Sequence, residues 1–291
     1  MPVFSIERRR QLYDIYVLNN RESFSRLEVV PERGGIIASW QVQGRELLYM
    51  DTERFANPSM SVRGGIPILF PICGNLPDNT YLYDGQPYLL KQHGFARDLP
   101  WEVVAQRTDD RASLTIALAS NAQTREVYPF DFLLEFTYTL QGQALTLHQR
   151  YTNCSSGRMP FSVGFHPYFL VPDKSQLRFE VPSDEAIDQI TKQPQPFFNT
   201  FDFDQAEIDW IFPHLSRQSA SVSDLSRHTR ITLSYGDAFP LLVFWTVKGK
   251  DFYCLEPWSA PRNALNTGER LLYLDPNASL ETEVALSVDF I

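Results

Sequence analysis

His166 and Glu256 are the two side chains of this chain best placed to move a proton. His166 stands between Gly164-Phe165 and Pro167-Tyr168-Phe169, at the end of an apolar run that begins at Pro160. An imidazole there is half-buried beside aromatic rings, and imidazole is the side chain most easily tuned between acid and base near neutral pH. The plain alternative is a hydrogen-bonded core histidine. Glu256 ends the run Phe252-Tyr-Cys-Leu-Glu256, and Pro257-Trp258 follow at once. A carboxylate at the end of an apolar strand is costly to bury without a partner. Burial raises its pKa and suits it to act as a base. The plain alternative is a strand-end glutamate facing solvent. Arg63, His93 and Arg97 form a second group, in Arg63-Gly-Gly-Ile-Pro67 and Gln92-His-Gly-Phe-Ala-Arg97. Either they belong to loops held against a core, where sites tend to sit, or they are surface and capping residues. No two histidines or carboxylates have the short spacing of a metal site, so no metal is expected.

The elements that would position these groups read as strands. Tyr13–Leu18, Ser25–Val30 and Ile36–Val42 are short β-rich runs separated by Asn19-Asn20, Pro31 and Gly34-Gly35. Ile66–Ile72 reads as a short buried strand between glycines and prolines. Asp84-Gly85, between Thr80–Tyr83 and Gln86–Leu90, is a strong hairpin signal. Phe132–Leu140 and Ala144–Tyr151 form a second hairpin through Gly142. Asp51–Arg63 has little periodicity beyond one helical turn, and residues 172–229 are the least regular part. From Arg230 to Asp289 strand runs return. There is no repeat and no obvious linker. The pattern predicts an all-β chain, a large antiparallel sandwich with very little helix, in a single domain over residues 1–291.

Composition narrows the partner. The net charge is −9 with dispersed basic residues, which excludes the basic stripe of a nucleic-acid binder and disfavours anionic membranes. The three cysteines, Cys73, Cys154 and Cys254, are far apart and odd in number, unlike a secreted disulfide framework. No apolar leader opens the chain and no stretch is long enough to span a bilayer. The expectation is a cytoplasmic, soluble protein, a monomer or weak homodimer, whose partner is a small molecule.

Taken together, Arg63-Gly-Gly-Ile-Pro, Phe70-Pro, Gln92-His-Gly-Phe-Ala-Arg97 with Trp101, Phe161-Ser-Val-Gly-Phe-His-Pro-Tyr-Phe169, and Cys254-Leu-Glu-Pro-Trp258 with Asn263–Glu269 resemble the aldose 1-epimerase (galactose mutarotase-like) family. The segments occur in the family's order over most of the chain. The resemblance implies a mutarotase-type β-sandwich with a sugar cleft on one sheet face. It implies that His166 is the general acid on the ring oxygen, Glu256 the general base on the anomeric hydroxyl, and His93 a sugar-binding group. It also implies a sugar-binding aspartate, for which Asp209 is the candidate and Asp202 and Asp204 the rivals. The family's arginine soon after the first site strand is replaced by Asn75, and Arg63 could take its place. The function implied is interconversion of the α and β anomers of a hexose by acid–base ring opening and closure, without a cofactor. Arg63 and Arg97 resemble the hexose-6-phosphate branch, and Arg262 and Lys91 are further phosphate contacts to test. A non-catalytic carbohydrate-binding sandwich is the alternative; it would have no need of both His166 and Glu256. A carboxylate close to His166 would favour its protonated form.

Overall fold

The computed structural model describes residues 2–291. Its architecture is all-β, built mainly from three antiparallel sheets. The first takes five strands in chain order, Phe4–Arg10, Asp14–Asn20, Ser25–Val30, Ile36–Val42 and Arg45–Glu46. The second, here called the outer sheet, has eight strands. They run in the order Leu177–Glu180, Ser219–Asp224, Thr229–Tyr235, Ser279–Phe290, Ala144–Asn153, Phe132–Gln141, Ala112–Ala119 and Glu102–Arg107. The third, the cleft sheet, runs Pro194–Pro196, Glu185–Asp188, Glu207–Phe212, Leu241–Val247, Phe252–Trp258, Gly164–Phe165 and Ile68–Leu69, with Tyr168–Leu170 also paired to Phe252–Trp258.

Period-2 alternation places the core between the outer and cleft sheets. Phe132, Leu134, Phe136, Tyr138 and Leu140 point inward from one strand of the outer sheet. Ile208, Phe212, Leu242, Phe244, Tyr253 and Leu255 meet the same apolar cluster from the cleft sheet. Phe136 against Phe165, with ring centroids 5.9 Å apart, is one contact across the two layers. Both hairpins expected from the sequence are present. Asp84 and Gly85 adopt φ of 49° and 75°, the left-handed pair that a two-residue turn of this hand requires. Gln141 pairs with Ala144 across Gly142-Gln143.

Two expectations need correction. The run Ile66–Ile72 is buried throughout, but only Ile68–Leu69 is a strand. Pro67 and Pro71 flank it and cannot donate to a ladder. Residues 172–229 are more ordered than their composition suggests. The weak strand expected at Leu177–Val181 is present as Leu177–Glu180, and Glu185–Asp188, Glu207–Phe212 and Ser219–Asp224 are strands as well. Ser219–Asp224 pairs locally with Thr229–Tyr235, while Leu177–Glu180 and Glu207–Phe212 find partners some distance along the chain, Ser219–Asp224 and Leu241–Val247. The expected helical turn after Asp51 is Thr52–Ala56, capped by the Asp51 carboxylate, which accepts from the Arg54 N–H at 3.0 Å. Among the described residues no helix is long and apolar enough to cross a membrane.

Candidate active site

The cleft sheet turns its second face away from the core. On Phe252–Trp258 all seven residues are buried. Because Tyr253 and Leu255 enter the core, the pleat sends Phe252, Cys254, Glu256 and Trp258 to the opposite face. Pairing does the rest. Gly164 lies opposite Trp258, and Tyr168 opposite Cys254, so the antiparallel register brings His166 opposite Glu256. Val243 flanks Glu256 from the neighbouring strand, and Asp209 lies opposite Trp245 one strand further on. Loops complete the walls. His93 and Arg97 arrive from a turn pressed onto Phe70. There Gly94 has φ 71°, and a Cβ on it would lie 2.1 Å from the Phe70 carbonyl oxygen. Arg54, Ser61 and Arg63 arrive from the segment after Asp51.

The result is a cleft of about 420 Å³ lined by His93, His166, Glu256, Asp209, Arg63, Arg97, Arg262 and Trp245, among others. At its floor the His166 Nε2 is 3.3 Å from the Glu256 Oε1. The Trp258 indole N–H donates to the other carboxylate oxygen, Oε2, at 3.0 Å. The His166 ring stacks on Tyr168, with centroids 4.6 Å apart and planes within 10°. The His93 Nδ1 accepts from the Gly74 main-chain N–H at 3.0 Å, so its proton resides on Nε2. Its ring stands edge-on to His166 at 5.5 Å. The Arg262 guanidinium donates to Asp209 Oδ2 at 2.7 Å, to Asn75 Oδ1 at 2.9 Å and to Gln189 Oε1 at 3.0 Å. It also lies over Trp258, as Arg63 lies over Trp245.

Charge in this cleft follows from burial. Desolvation, assisted by Arg97, lowers His166 to about 3. Desolvation raises Glu256 well above the usual carboxylate range, with the Trp258 hydrogen bond opposing it. Asp209 is raised by the same cause, against the pull of Arg262. His93 is lowered by burial and then by Arg97. The expectation that a nearby carboxylate would keep His166 protonated is therefore reversed by burial. With both partners out of water, a neutral imidazole beside a protonated carboxyl outweighs an ion pair. On residues that line the cleft, three buried polar atoms have no hydrogen-bond partner among the described residues: His166 Nδ1, Arg97 Nε and Asp209 Oδ1. Buried polar atoms are rarely left unpaired, and these lie on residues that line one cavity, as they would if a polar ligand were to satisfy them.

All six residues singled out from the sequence line this cleft: His166, Glu256, His93, Arg63, Arg97 and Asp209. Of the rival aspartates, Asp202 and Asp204 are exposed, and Asp204 pairs with Lys248. Arg262 lines the cleft as well. Lys91 does not; it borders a separate apolar cavity with Leu89, Phe95 and Leu99. Asn75, at the position where the family resemblance calls for an arginine, instead holds Arg262. Sequence reasoning missed Arg54, Glu207 and Trp245. The alternation of Glu207 with Asp209, and the register that sets Trp245 beside Asp209, were the signals available. A metal site, not expected from spacing, has three potential ligands: atoms of His166, Cys254 and Glu256 lie within 4.8 Å of one another. The Arg97, Arg262 and Arg63 charges, which already lower His166, oppose a further cation there.

Comparison with known proteins agrees with this fold and gives the family. The sequence pattern described as aldose 1-epimerase matches residues 14–287. The solved Slr1438 protein from Synechocystis sp. PCC 6803 is 45% identical over 100% of both chains, with a TM-score of 0.94. A solved galactose mutarotase-like protein from Clostridium acetobutylicum is 20% identical over 99% of each chain, with a TM-score of 0.84, and shares the fold. A Cenchrus ciliaris protein provisionally named glucose-6-phosphate 1-epimerase is 25% identical over 87% of this chain and 79% of its own length.

Proposed function

The chain belongs to the aldose 1-epimerase family, and on that premise we propose that His166 and Glu256 open and close the hemiacetal ring of a hexose that carries an anionic group. The observation that carries this reading is the 3.3 Å contact between His166 Nε2 and Glu256 Oε1 at the floor of the cleft. Anomer interconversion needs one group that takes a proton from the anomeric hydroxyl and one that gives a proton to the ring oxygen. Glu256 is the base and His166 the acid. The O1–H bond breaks to Glu256, the C1–O5 bond breaks, and O5 gains the proton of His166. The aldehyde turns about C1–C2, and closure reverses both transfers. Each positioned transfer contributes about 10²–10⁴-fold.

The pair works with one shared proton. Burial favours that proton on Glu256, and its passage to His166 gives the reactive carboxylate and imidazolium without altering the charge of the site. Activity then fails at two ends. Below about pH 3 a second proton on His166 leaves no base. At high pH, above the raised pKa of Glu256, the shared proton is lost and no acid remains. His93, as an Nε2–H donor, and Asp209, through its free Oδ1, bind sugar hydroxyls. The single-domain chain acts on a small molecule, and an exposed free Cys154 supports a reducing, cytoplasmic setting.

The anionic group is inferred from arginine. Arg54, Arg63, Arg97 and Arg262 line one cleft with only three carboxyl residues, Glu207, Asp209 and Glu256, the last two raised in pKa by burial. Arginine offers a planar fork suited to phosphate. Anomer-exchange NMR across free and 6-phosphorylated hexoses tests both parts. Exchange is expected fastest with a phosphorylated hexose. Equal rates with free sugars would remove the anionic group, and no acceleration with any sugar would leave a carbohydrate-binding protein.

A further inference from the structure

We infer that Arg33, outside the cleft, is a positioning residue that sets the anion-binding arginines through the segment that carries them; this rests on the substrate reading above. Arg33 ends the short 3₁₀ turn Pro31–Arg33 and is only 4% exposed. It makes no ion pair within 4 Å to any described residue. Its guanidinium instead donates to four main-chain carbonyls of one segment: Arg54 at 3.1 Å, Phe55 at 3.2 Å, Asn57 at 2.9 Å, and Met60. Of these, the Arg54 and Phe55 carbonyls lie in the last turn of a helix and need a donor. Thr52–Ala56 is a single helical turn, and the last carbonyls of a helix have no partner within it. A planar fork with five donors can gather several at once, where an ammonium offers a point charge on a mobile stem.

The segment so held supplies Arg54, Ser61, Val62 and Arg63 to the cleft wall. Besides this clamp, the segment is tied by the Asp51 cap, by main-chain bonds such as Asp51 N–H to Arg63 O at 2.9 Å, by Arg54 donating to the Ser61 carbonyl, and by Val62 and Phe55, which pack into the cluster of Ile15, Val30 and Ile36. The same turn touches the other arginine loop. Gly34 has φ 75°, and a Cβ on it would lie 2.0 Å from the Arg97 carbonyl oxygen. The Trp101 N–H, four residues beyond Arg97, donates to Pro31 O at 3.0 Å. One turn therefore registers two loops, and the arginines of both face the same cleft. Arg33 contributes no atom to the cavity and acts only through what it holds.

Arg33→Lys keeps the charge and loses the fork. The expected result is a KM for glucose 6-phosphate raised by roughly tenfold, a kcat changed less than twofold, and a KM for glucose hardly moved. Hydrogen exchange of the 52–63 amides should accelerate in the same variant, while the amides of Phe132–Gln141 stay protected. If Arg33→Ala folds, millimolar guanidinium should restore the KM in part. Unchanged protection of 52–63 would overturn the inference. So would a lower Tm with both KM values intact, because Arg33 would then serve stability alone. If the wild-type protein turns over neither sugar, the proposed function fails, and hydrogen exchange by itself decides whether Arg33 holds the segment.

Discussion

The outer sheet and the cleft sheet share one pleat and put it to different uses. Along Phe132–Gln141 buried and half-exposed residues alternate without a break, so one face makes core and the other meets water. Phe252–Trp258 is buried on both faces. One of its faces packs into the same core as Phe136, and the other is covered by loops that bring His93, Arg97 and Arg63. A face roofed by loops is enclosed without being filled. That is the setting in which a carboxyl such as Glu256 can be kept from water and still be reached by a small molecule. The two histidines on strand faces show the contrast. His148, on the outer sheet, has a side chain 45% exposed, 3.8 Å from Glu281. His166, over the cleft sheet, has a side chain 9% exposed.

Four substitutions put the comparison at risk. The largest effect is expected at Glu256→Gln, which keeps shape but cannot take a proton: kcat should fall by about 10²–10⁴ with the fold intact. Adding His166→Asn should cost little more, since groups that act as a unit are not additive. Near wild-type anomer exchange by folded Glu256→Gln would end the assignment. Phe136→Ala, on the core face of the outer sheet, should destabilise by about 3–5 kcal/mol in urea unfolding while the folded fraction keeps its kcat. A specific loss of kcat there would show that the sheets do not divide labour as described.

The third substitution concerns pH. His166 is lowered in the folded chain, so the unfolded chain takes up a proton below about 6.5 that the folded chain refuses. Stability from this group is present above pH 6.5 and is lost as pH falls toward 3. The slope is up to about 1.4 kcal/mol per pH unit for one proton. His166→Asn should flatten that slope when urea midpoints are compared between pH 7 and 4; an unaltered slope would place the proton elsewhere. The smallest effect is expected at His148→Ala, within about 0.5 kcal/mol in stability and without change in turnover.

Much of this was legible in the chain. Alternation and turn chemistry gave the hairpins at Asp84-Gly85 and Gly142-Gln143, because both are local. Polar groups at the ends of apolar runs marked His166 and Glu256, because such placement is costly unless used. What was hidden depends on distant pairing. Glu207–Phe212 reads as irregular until Leu241–Val247 lies beside it, and only that pairing lifts Asp209 above Asp202 and Asp204. Arg262 looked equivalent to Lys91 as a cationic candidate, yet one is drawn into the cleft by Asp209 and Asn75 and the other is left outside. The direction of the His166 shift also needed the fold, since it turns on how completely the ring is enclosed.

The hydrogen bond from Gly74 to His93 Nδ1 has a consequence for proton traffic. A ring nitrogen that accepts from a main-chain amide cannot take a proton without breaking that bond, so His93 is a fixed donor rather than a relay. Two imidazoles stand 5.5 Å apart in the cleft, and burial disfavours a charge on both, but only His93 would also have to give up a main-chain hydrogen bond to take a proton at Nδ1. On the mechanism proposed above, His93 would act as an insulator: it would orient the ligand through Nε2–H without draining or supplying the proton that His166 and Glu256 exchange. In the proposed mechanism the transferred proton then stays within the His166–Glu256 pair, and ring opening followed by closure restores the starting protonation state.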